Sequence, residues 1–130
     1  MINGTVAYNK GKESGGIWLA FGATATLQNT ILAENTDPLD VPLDVFGVLD
    51  WNNSYNNMIG RGGASGFTTA HQNFVLAANE SAGLAPLGDY GGLTKTHALL
   101  STSRAIDAGN NQKAIDKGVP LTKILAQFRD

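Results

Sequence analysis

Four aspartates near the middle of the chain are the first residues to examine for chemistry. Asp37, Asp40, Asp44 and Asp50 lie within or just after a segment that contains two prolines. Oxygen-rich clusters of this kind are what Ca²⁺ prefers, but the spacing matches neither an EF-hand loop nor a glycine-rich calcium repeat. Aspartate also favours turns. The pattern therefore favours a solvated loop, and we expect no metal site.

The same acidic residues are the candidates for an active site. A polysaccharide-cleaving enzyme needs several carboxylates or a Lys or Arg base that converge on one face. The sequence offers Asp37, Asp40 and Asp44 with Lys10 or Lys12, but nothing in their spacing requires convergence. The sequence also lacks the phosphate-loop, serine-hydrolase, zinc-protease and dinucleotide motifs. We therefore predict no catalytic residue, no cofactor and no enzymatic activity.

Two histidines and one further aspartate have the right chemistry for proton transfer. His97 would serve as a general base near neutral pH, but it stands in the apolar stretch 96–100. We predict a structural histidine whose ring N–H pairs with the backbone. Asp107 is predicted to accept backbone N–H groups in a turn. His71 follows a Thr-bearing loop and has no predicted partner.

Aromatic residues are the candidates for stacking against sugar rings. Trp18 and Phe21 lie in an apolar run between two glycines, which predicts that they belong to the core. Trp51 and Tyr55 flank a turn and are the better ligand candidates. Tyr90, in a glycine-bearing stretch, would complete an aromatic strip if these rings shared one exposed face.

A repeat positions many of these residues. Segment 29–35 matches segment 3–9 without a gap, with Asn on Asn at both ends and Ala on Ala, so that position i corresponds to position i + 26. A period of this size is typical of solenoids, in which each unit buries its apolar face on the next. The recurring Asn3, Asn9, Asn29 and Asn35 predict hydrogen-bonded ladders of amides. The alternative is that exposed amides contact a sugar.

Composition narrows the class of protein. The 130 residues amount to one domain, and the net charge of −2 argues against a nucleic-acid partner. The absence of Cys excludes disulfides and is compatible with export. The sequence contains no apolar run long enough to predict a transmembrane helix. The N-terminus lacks the features of a signal peptide and starts inside the first repeat copy, so we interpret the chain as a fragment of a longer protein.

The predicted fold is all-β. Short strands separated by turns fill residues 1–83, with inserted loops at 36–44 and 61–70. A third copy of the repeat is predicted at 55–60, one further period along the chain. Residues 84–130 form a loop-rich C-terminal capping region of the same domain. Within it, residues 110–113 are a polar tail and residues 119–128 are a last strand or a short helix.

The stretch LAPLGDYGGLTKTHALLSTSRAIDAGNN, residues 84–111, resembles the tail of bacterial right-handed parallel β-helix surface proteins with a choice-of-anchor Q type domain. GGIWLAFGATATLQNTILAENT, DVFG and YNNMIG resemble the coils of that family. The chain departs from the pattern at Ala85, Tyr90 and Arg104, where Gly, Asn and Pro are usual. LAQFRD at residues 125–130 matches only part of the family's closing segment.

The resemblance implies a right-handed parallel β-helix, a solenoid of about three coils of ~26 residues, on the bacterial cell surface or in the extracellular medium. It implies a non-catalytic structural or adhesive segment. The alternative is a carbohydrate-binding or polysaccharide-degrading module, because pectin-lyase-like proteins share the coil. Polysaccharides or cell-surface glycans are the expected partners. We also expect self-association through exposed coil edges, since unpaired strand edges pair readily.

Overall fold

The computed structural model describes residues 1–61, 70–116 and 118. These residues form mostly short strands, so the chain is all-β as predicted. Besides the strands there are one 3-10 turn, Ala70–Gln72, and one α-helix, α1 (Asn111–Ile115). The strands are β1 (Thr5–Ala7), β2 (Ile17–Trp18), β3 (Thr24–Ala25), β4 (Ile31–Ala33), β5 (Val45–Phe46), β6 (Val48–Leu49), β7 (Met58–Ile59) and β8 (Phe74–Val75).

The strands form three parallel sheets. The main sheet has the order β1-β4-β7-β8, the second sheet pairs β2 with β5, and the third sheet pairs β3 with β6. The chain therefore visits the main, second and third sheets in turn and then returns to the main sheet beside the strand it left. We call each such circuit a pass. Two complete circuits are described, pass 1 at residues 3–28 and pass 2 at residues 29–55. The main sheet continues with β7 and β8, and we number the segments that begin at residues 56 and 72 as passes 3 and 4 from these two strands alone.

The register of the main sheet shows how the passes align. Thr5 lies beside Ile31, the partner that the predicted repeat gives it. Ile31 in turn lies beside Met58, so this second step is longer than the first and the predicted start of the third copy is wrong by one residue. The connections between the strands change length from pass 1 to pass 2. The connection into the second sheet is longer by two residues, the connection from the second to the third sheet is shorter by four, and the turn between Leu49 and Tyr55 is longer by three, which leaves a net gain of one residue.

Both faces of the main sheet are buried. Successive side chains of a strand point to opposite faces, so Leu32 and Ile59 face the space enclosed by the three sheets. There they join a core with Leu27, Val45, Leu49 and Trp51. Ala33 and Met58 face outward and pack in a second cluster with Leu76, Ala82 and Leu84. The outer cover comes from residues 78–110, which we call the strap.

The connections differ in part from the prediction. Within the predicted loop 36–44 the chain makes a tight exposed turn, in which the Asp37 N–H donates to the Val41 carbonyl at 2.9 Å. Residues 111–113 of the expected polar tail belong to the helix α1, which is capped by the Asn110 side chain through its acceptance of the Lys113 N–H at 3.1 Å. Most of the predicted loop 61–70 and all of segment 119–128 lie outside the described residues. No helix in the described ranges is long and apolar enough to cross a membrane.

Candidate functional site

The structure does not gather the four aspartates into a site. Asp44 is completely buried, and its Oδ1 accepts from the backbone N–H and the side-chain amide of Asn35 at 2.8 and 2.9 Å. Asp37 accepts two backbone N–H groups of its own turn. Asp40 faces solvent and pairs with Lys10 at 2.6 Å. Over residues 1–61, 70–116 and 118, no three acidic, His or Cys side chains are placed to hold a metal ion.

The remaining residue of the calcium cluster and the two lysines of the catalytic candidate set are also apart. Asp50 accepts from the Asn53 side-chain amide at 2.8 Å. Lys12 lies 3.9 Å from its sequence neighbour Glu13, and both side chains are largely exposed. Only Lys10 and Asp40 meet, as an exposed ion pair that water screens. Lys10 and Asp40 are thus the one pair of catalytic candidates that the structure brings together, and both side chains are exposed.

The predicted role of His97 is confirmed. Its Nδ1 lies 2.8 Å from the Ala85 carbonyl oxygen, and a carbonyl only accepts, so Nδ1 carries the proton. The ring packs against Tyr8 with centroids 5.2 Å apart. His71 packs against the Tyr55 ring at 4.3 Å. The prediction for Asp107 is wrong, since it is exposed in a turn with φ of 54° and none of the described backbone N–H groups donates to its carboxylate.

The predicted Asn3–Asn29 pair is present, and a second, separate pair lies at the same corner of the main sheet. The Asn29 side-chain amide donates to Asn3 Oδ1 at 3.1 Å, and that of Asn56 donates to Gln72 Oε1 at 2.6 Å. All four residues have left-handed backbone, with φ between 49° and 60°. Asparagine tolerates this conformation better than most residues, so each pair fixes both the corner and the stacking. We call Asn3, Asn29, Asn56 and Gln72 the amide row.

The second predicted ladder pairs Asn9 with Asn35. Asn9 donates through Nδ2 to Asn35 Oδ1 at 3.0 Å. Sequence analysis missed a further pair, in which the Asn57 amide donates to Asn73 Oδ1 at 2.8 Å. Asn57 in turn accepts from the Thr30 N–H at 3.0 Å. The adjacent asparagines at 56 and 57 were the signal, and the one-residue error in register concealed it.

The strap crosses the passes in reverse order. Equivalent positions on three successive passes hold it: Arg61 donates to the Ala78 carbonyl at 3.2 Å, Glu34 accepts from the Ala82 N–H at 2.8 Å, and the Tyr8 hydroxyl donates to the Leu84 carbonyl at 3.2 Å. Burial, and secondarily the charge of Glu34, raises the pKa of the Tyr8 phenol. Because its pKa is raised, the phenol is protonated throughout the range below the ordinary value of 10.0 and donates this hydrogen bond there.

The returning half of the strap closes over the amide row. Asn29 exchanges two hydrogen bonds with the backbone of Asn110, and Asn56 donates to the Ala108 carbonyl at 3.0 Å. A cavity of about 100 Å³ remains between main sheet and strap, lined by residues that include Met58 and Phe74. Ligand pockets for small molecules usually measure about 300–1,000 Å³. The outer face of the main sheet is therefore filled by the chain itself.

The aromatic predictions are partly reversed. Trp51 is buried in the core at 7 % exposure, whereas Trp18 and Phe21, predicted to be core, are 53 % and 109 % exposed. The run alternates, with Ile17 and Leu19 packing against the core, so Trp18 points outward. Phe21 stands on the turn that follows.

Trp18 lies beside Phe46 in the second sheet, and Phe46 is also half-exposed. We call Trp18 and Phe46 the aromatic face. Tyr55 is half-buried, with the Lys113 ammonium 4.1 Å from its ring centroid. Tyr90 is 47 % exposed, but its hydroxyl donates to the Pro86 carbonyl. The exposed rings therefore do not form the single strip that the sequence suggested.

Comparison with known proteins adds no relative. No family model matches the chain, and neither the characterised proteins nor the solved structures include a significant match. The function must therefore be argued from the geometry and from the sequence motifs.

Proposed function

We propose that the chain is a non-catalytic structural or adhesive segment of a right-handed parallel β-helix protein, displayed on a bacterial surface or secreted. The three parallel sheets and the repeated circuit support the β-helix. Right-handedness is supported by the general rule that parallel β-crossover-β connections are right-handed in about 98 % of cases. Surface location is supported by the resemblance of residues 84–111 to the tails of bacterial surface proteins.

The observation that carries this proposal is the strap on the main sheet. An enzyme acting on a polymer needs an open face with converging polar groups, but here Ala82 and Leu84 seal the outer face. The polar side chains nearby are engaged in holding the chain together, as in the bond from Glu34 to Ala82. A main sheet whose outer face is covered, and which is bonded to the strap along several passes, supports a structural role rather than catalysis.

A product-release assay tests the proposal. The folded, β-rich chain is incubated with plant, algal and host polysaccharides, and reducing ends and unsaturated uronates are measured. We expect no release above the level of a heat-unfolded sample. Release that disappears in Asp40→Ala or Lys10→Ala would overturn the proposal, because both residues form only an exposed ion pair and the variants should remain folded.

A second candidate function, glycan binding, is favoured by the aromatic face. Trp18 and Phe46 present two rings on neighbouring strands, and strands in a sheet lie about 4.8 Å apart. Half-exposed aromatic rings with a polar surround are typical of interaction surfaces. Two rings on adjacent strands would suit successive units of a polymer rather than a free sugar.

Binding to immobilised polysaccharides tests this second candidate. Trp18→Ala and Phe46→Ala should both weaken retention, and the matched control Tyr90→Ala, an exposed ring elsewhere on the chain, should not. Equal retention of all three variants would exclude the aromatic face as the binding surface.

A further inference from the structure

We propose that the end of the molecule formed by pass 1 is a docking surface for one further pass of the same kind. The partner is a polypeptide segment whose extended stretches run parallel to β1, β2 and β3 and in register with them. This inference deepens the proposed function and rests on its β-helix architecture, but it does not depend on whether the chain is catalytic or binds a glycan.

The strand edges of pass 1 are the first part of this surface. β1 is the outer strand of the main sheet, and β2 and β3 each have one described neighbour, which lies on the side of pass 2. A strand paired on one side leaves half of its N–H and C=O groups free. Three edges that are open on the same side form a template for three parallel strands at once.

Side-chain burial changes across the same three strands. Val6, Ile17 and Ala25 pack against the core but are only half-buried. Their register partners in pass 2 are Leu32, Val45 and Leu49, which are 0 %, 5 % and 2 % exposed. The inward-facing residues of pass 1 therefore lack the apolar cover that pass 1 itself gives to pass 2.

The amide row stops at the same end. Asn3 accepts from Asn29, keeps the left-handed backbone of the row with φ of 51°, and is exposed. Its position repeats the geometry of Asn29, which bonds to a neighbour on the side of pass 1. A further pass with asparagine at this corner would continue the row.

The strap supplies the second wall of the surface. It meets Arg61, then Glu34, then Tyr8, and thus moves one pass at a time toward this end. Beyond Leu84 it makes a hairpin in which Gly88 and Thr96 exchange backbone hydrogen bonds of 3.0 and 2.9 Å. Continuing the same path places residues 86–96, which we call the overhang, past pass 1.

The overhang exposes apolar side chains on this course. Leu87 is 59 % exposed and Leu93 107 % exposed. The equivalent stretch over passes 1 and 2 buries its apolar residues, since Ala82 and Leu84 are 0 % and 5 % exposed. The overhang thus extends the interface between strap and main sheet by one pass, with no main-sheet strand described beneath it.

A second copy of this chain fits the surface less well than a further pass. Two copies meeting at their first passes would bring their strands together antiparallel and break the amide row. A copy that offered its opposite end would present β8 in the main sheet but β5 and β6, which belong to pass 2, in the other two sheets, so among the described strands its three edges do not lie in one pass. A further pass in parallel register would pair with all three strand edges, continue the amide row and cover the apolar side chains of the overhang.

The experiment duplicates one pass within the full chain. A second copy of residues 3–28 is inserted directly before residue 3, so that the period of the repeat is kept. We expect a folded monomer whose thermal midpoint rises by about 4 °C or more. Amide exchange should slow by about tenfold or more in Thr5–Ala7 and in residues 86–96. The matched control inserts the same segment in scrambled order, and should show neither effect.

A point variant ties the result to the overhang. Leu93→Ser should leave the midpoint of the original chain unchanged, because the side chain is fully exposed, but should lower that of the duplicated chain. The proposal would be overturned if Leu93→Ser changed the thermal midpoint equally little in the original and the duplicated chain. It would also be overturned if the duplication did not slow amide exchange in Thr5–Ala7. A duplicated chain that fails to fold where the scrambled control folds would likewise overturn it. If the original chain dimerises in light scattering with protection of the same amides, a second copy is the occupant and the proposal is wrong.

Discussion

Asn29 and Asn110 are joined by two reciprocal hydrogen bonds. The Asn29 amide donates to the Asn110 carbonyl at 2.9 Å, and the Asn110 N–H donates to Asn29 Oδ1 at 2.8 Å. Because Asn29 also donates to Asn3, one side chain joins two passes and the strap. The amide row is thus the seam along which the end of the strap is fixed.

Replacing the Asn29 amide should loosen this seam. Asn29→Asp keeps the shape and one acceptor oxygen but removes both donor bonds, and a lost hydrogen bond to a partly buried group costs about 1–3 kcal/mol. We expect the free energy of unfolding to fall by about that amount in urea denaturation at pH 7. Asn79→Ala, in an exposed turn, is the control and should change it by less than about 0.5 kcal/mol. Equal effects of the two would show that the seam does not contribute.

Two aspartates of one loop should behave differently. Asp44 is buried and accepts two hydrogen bonds from Asn35, so Asp44→Ala removes the acceptor of the buried Asn35 N–H and should cost about 1–3 kcal/mol. Asp40→Ala removes only an exposed ion pair and should cost about 0–1 kcal/mol. Chemical denaturation followed by circular dichroism measures both. A destabilisation by Asp40→Ala as large as that by Asp44→Ala would contradict the assignment of roles.

Glu80 should contribute a pH-dependent part of the stability. The Ala77 N–H, and secondarily Arg104, lower the pKa of the Glu80 carboxyl below its ordinary 4.5. A lowered folded-state pKa means that this contribution is present above pH 4.5 and is lost as the pH falls through the folded-state pKa. At pH 7 the Glu80→Gln variant should therefore unfold at a lower urea concentration than the parent protein. The two midpoints should converge as the pH falls below 4.5, and a gap that stays constant with pH would refute this account.

The two tryptophans should report opposite environments. The Trp51→Phe variant retains Trp18, which is half-exposed, and should emit at longer wavelength with strong acrylamide quenching. The Trp18→Phe variant retains Trp51, which is buried, and should emit at shorter wavelength with weak quenching. Trp51→Ala should cost about 3–5 kcal/mol and Trp18→Ala far less. Similar quenching of the two single-tryptophan variants would contradict the alternation of the 17–19 run.

The spacing of like residues predicted which residues of pass 1 and pass 2 lie side by side. Asn3 and Asn29 fall at the same corner because only a few residue types accept left-handed backbone there, and this restriction is visible in the sequence. The offset failed in pass 3 because connections change length without changing the sheet. The extra residues between Leu49 and Tyr55 lie in a corner, where apolar periodicity carries no information.

The environment of single side chains was harder to predict. Trp18 lies in an apolar run, and only the inward positions of Ile17 and Leu19 show that it points outward. Asp44 resembles its exposed neighbours in sequence, but it stands next to β5 and opposite Asn35, which the local pattern does not reveal. Residues 84–130 were predicted as a loop-rich C-terminal capping region, whereas the course of the strap across three passes depends on contacts far apart in the chain.

The reversed course of the strap also bears on the order of folding. Contacts between passes 1 and 2 join positions 26 apart, whereas Tyr8 meets Leu84 at a separation of 76 and Asn29 meets Asn110 at one of 81. Longer loops cost more entropy to close, and contacts between distant residues form more slowly. The sheets should therefore form before the strap docks, which leaves Met58 and Phe74 uncovered for an interval during refolding. In that interval the chain is most exposed to aggregation, so the rate of strap docking should limit the refolding yield at high protein concentration.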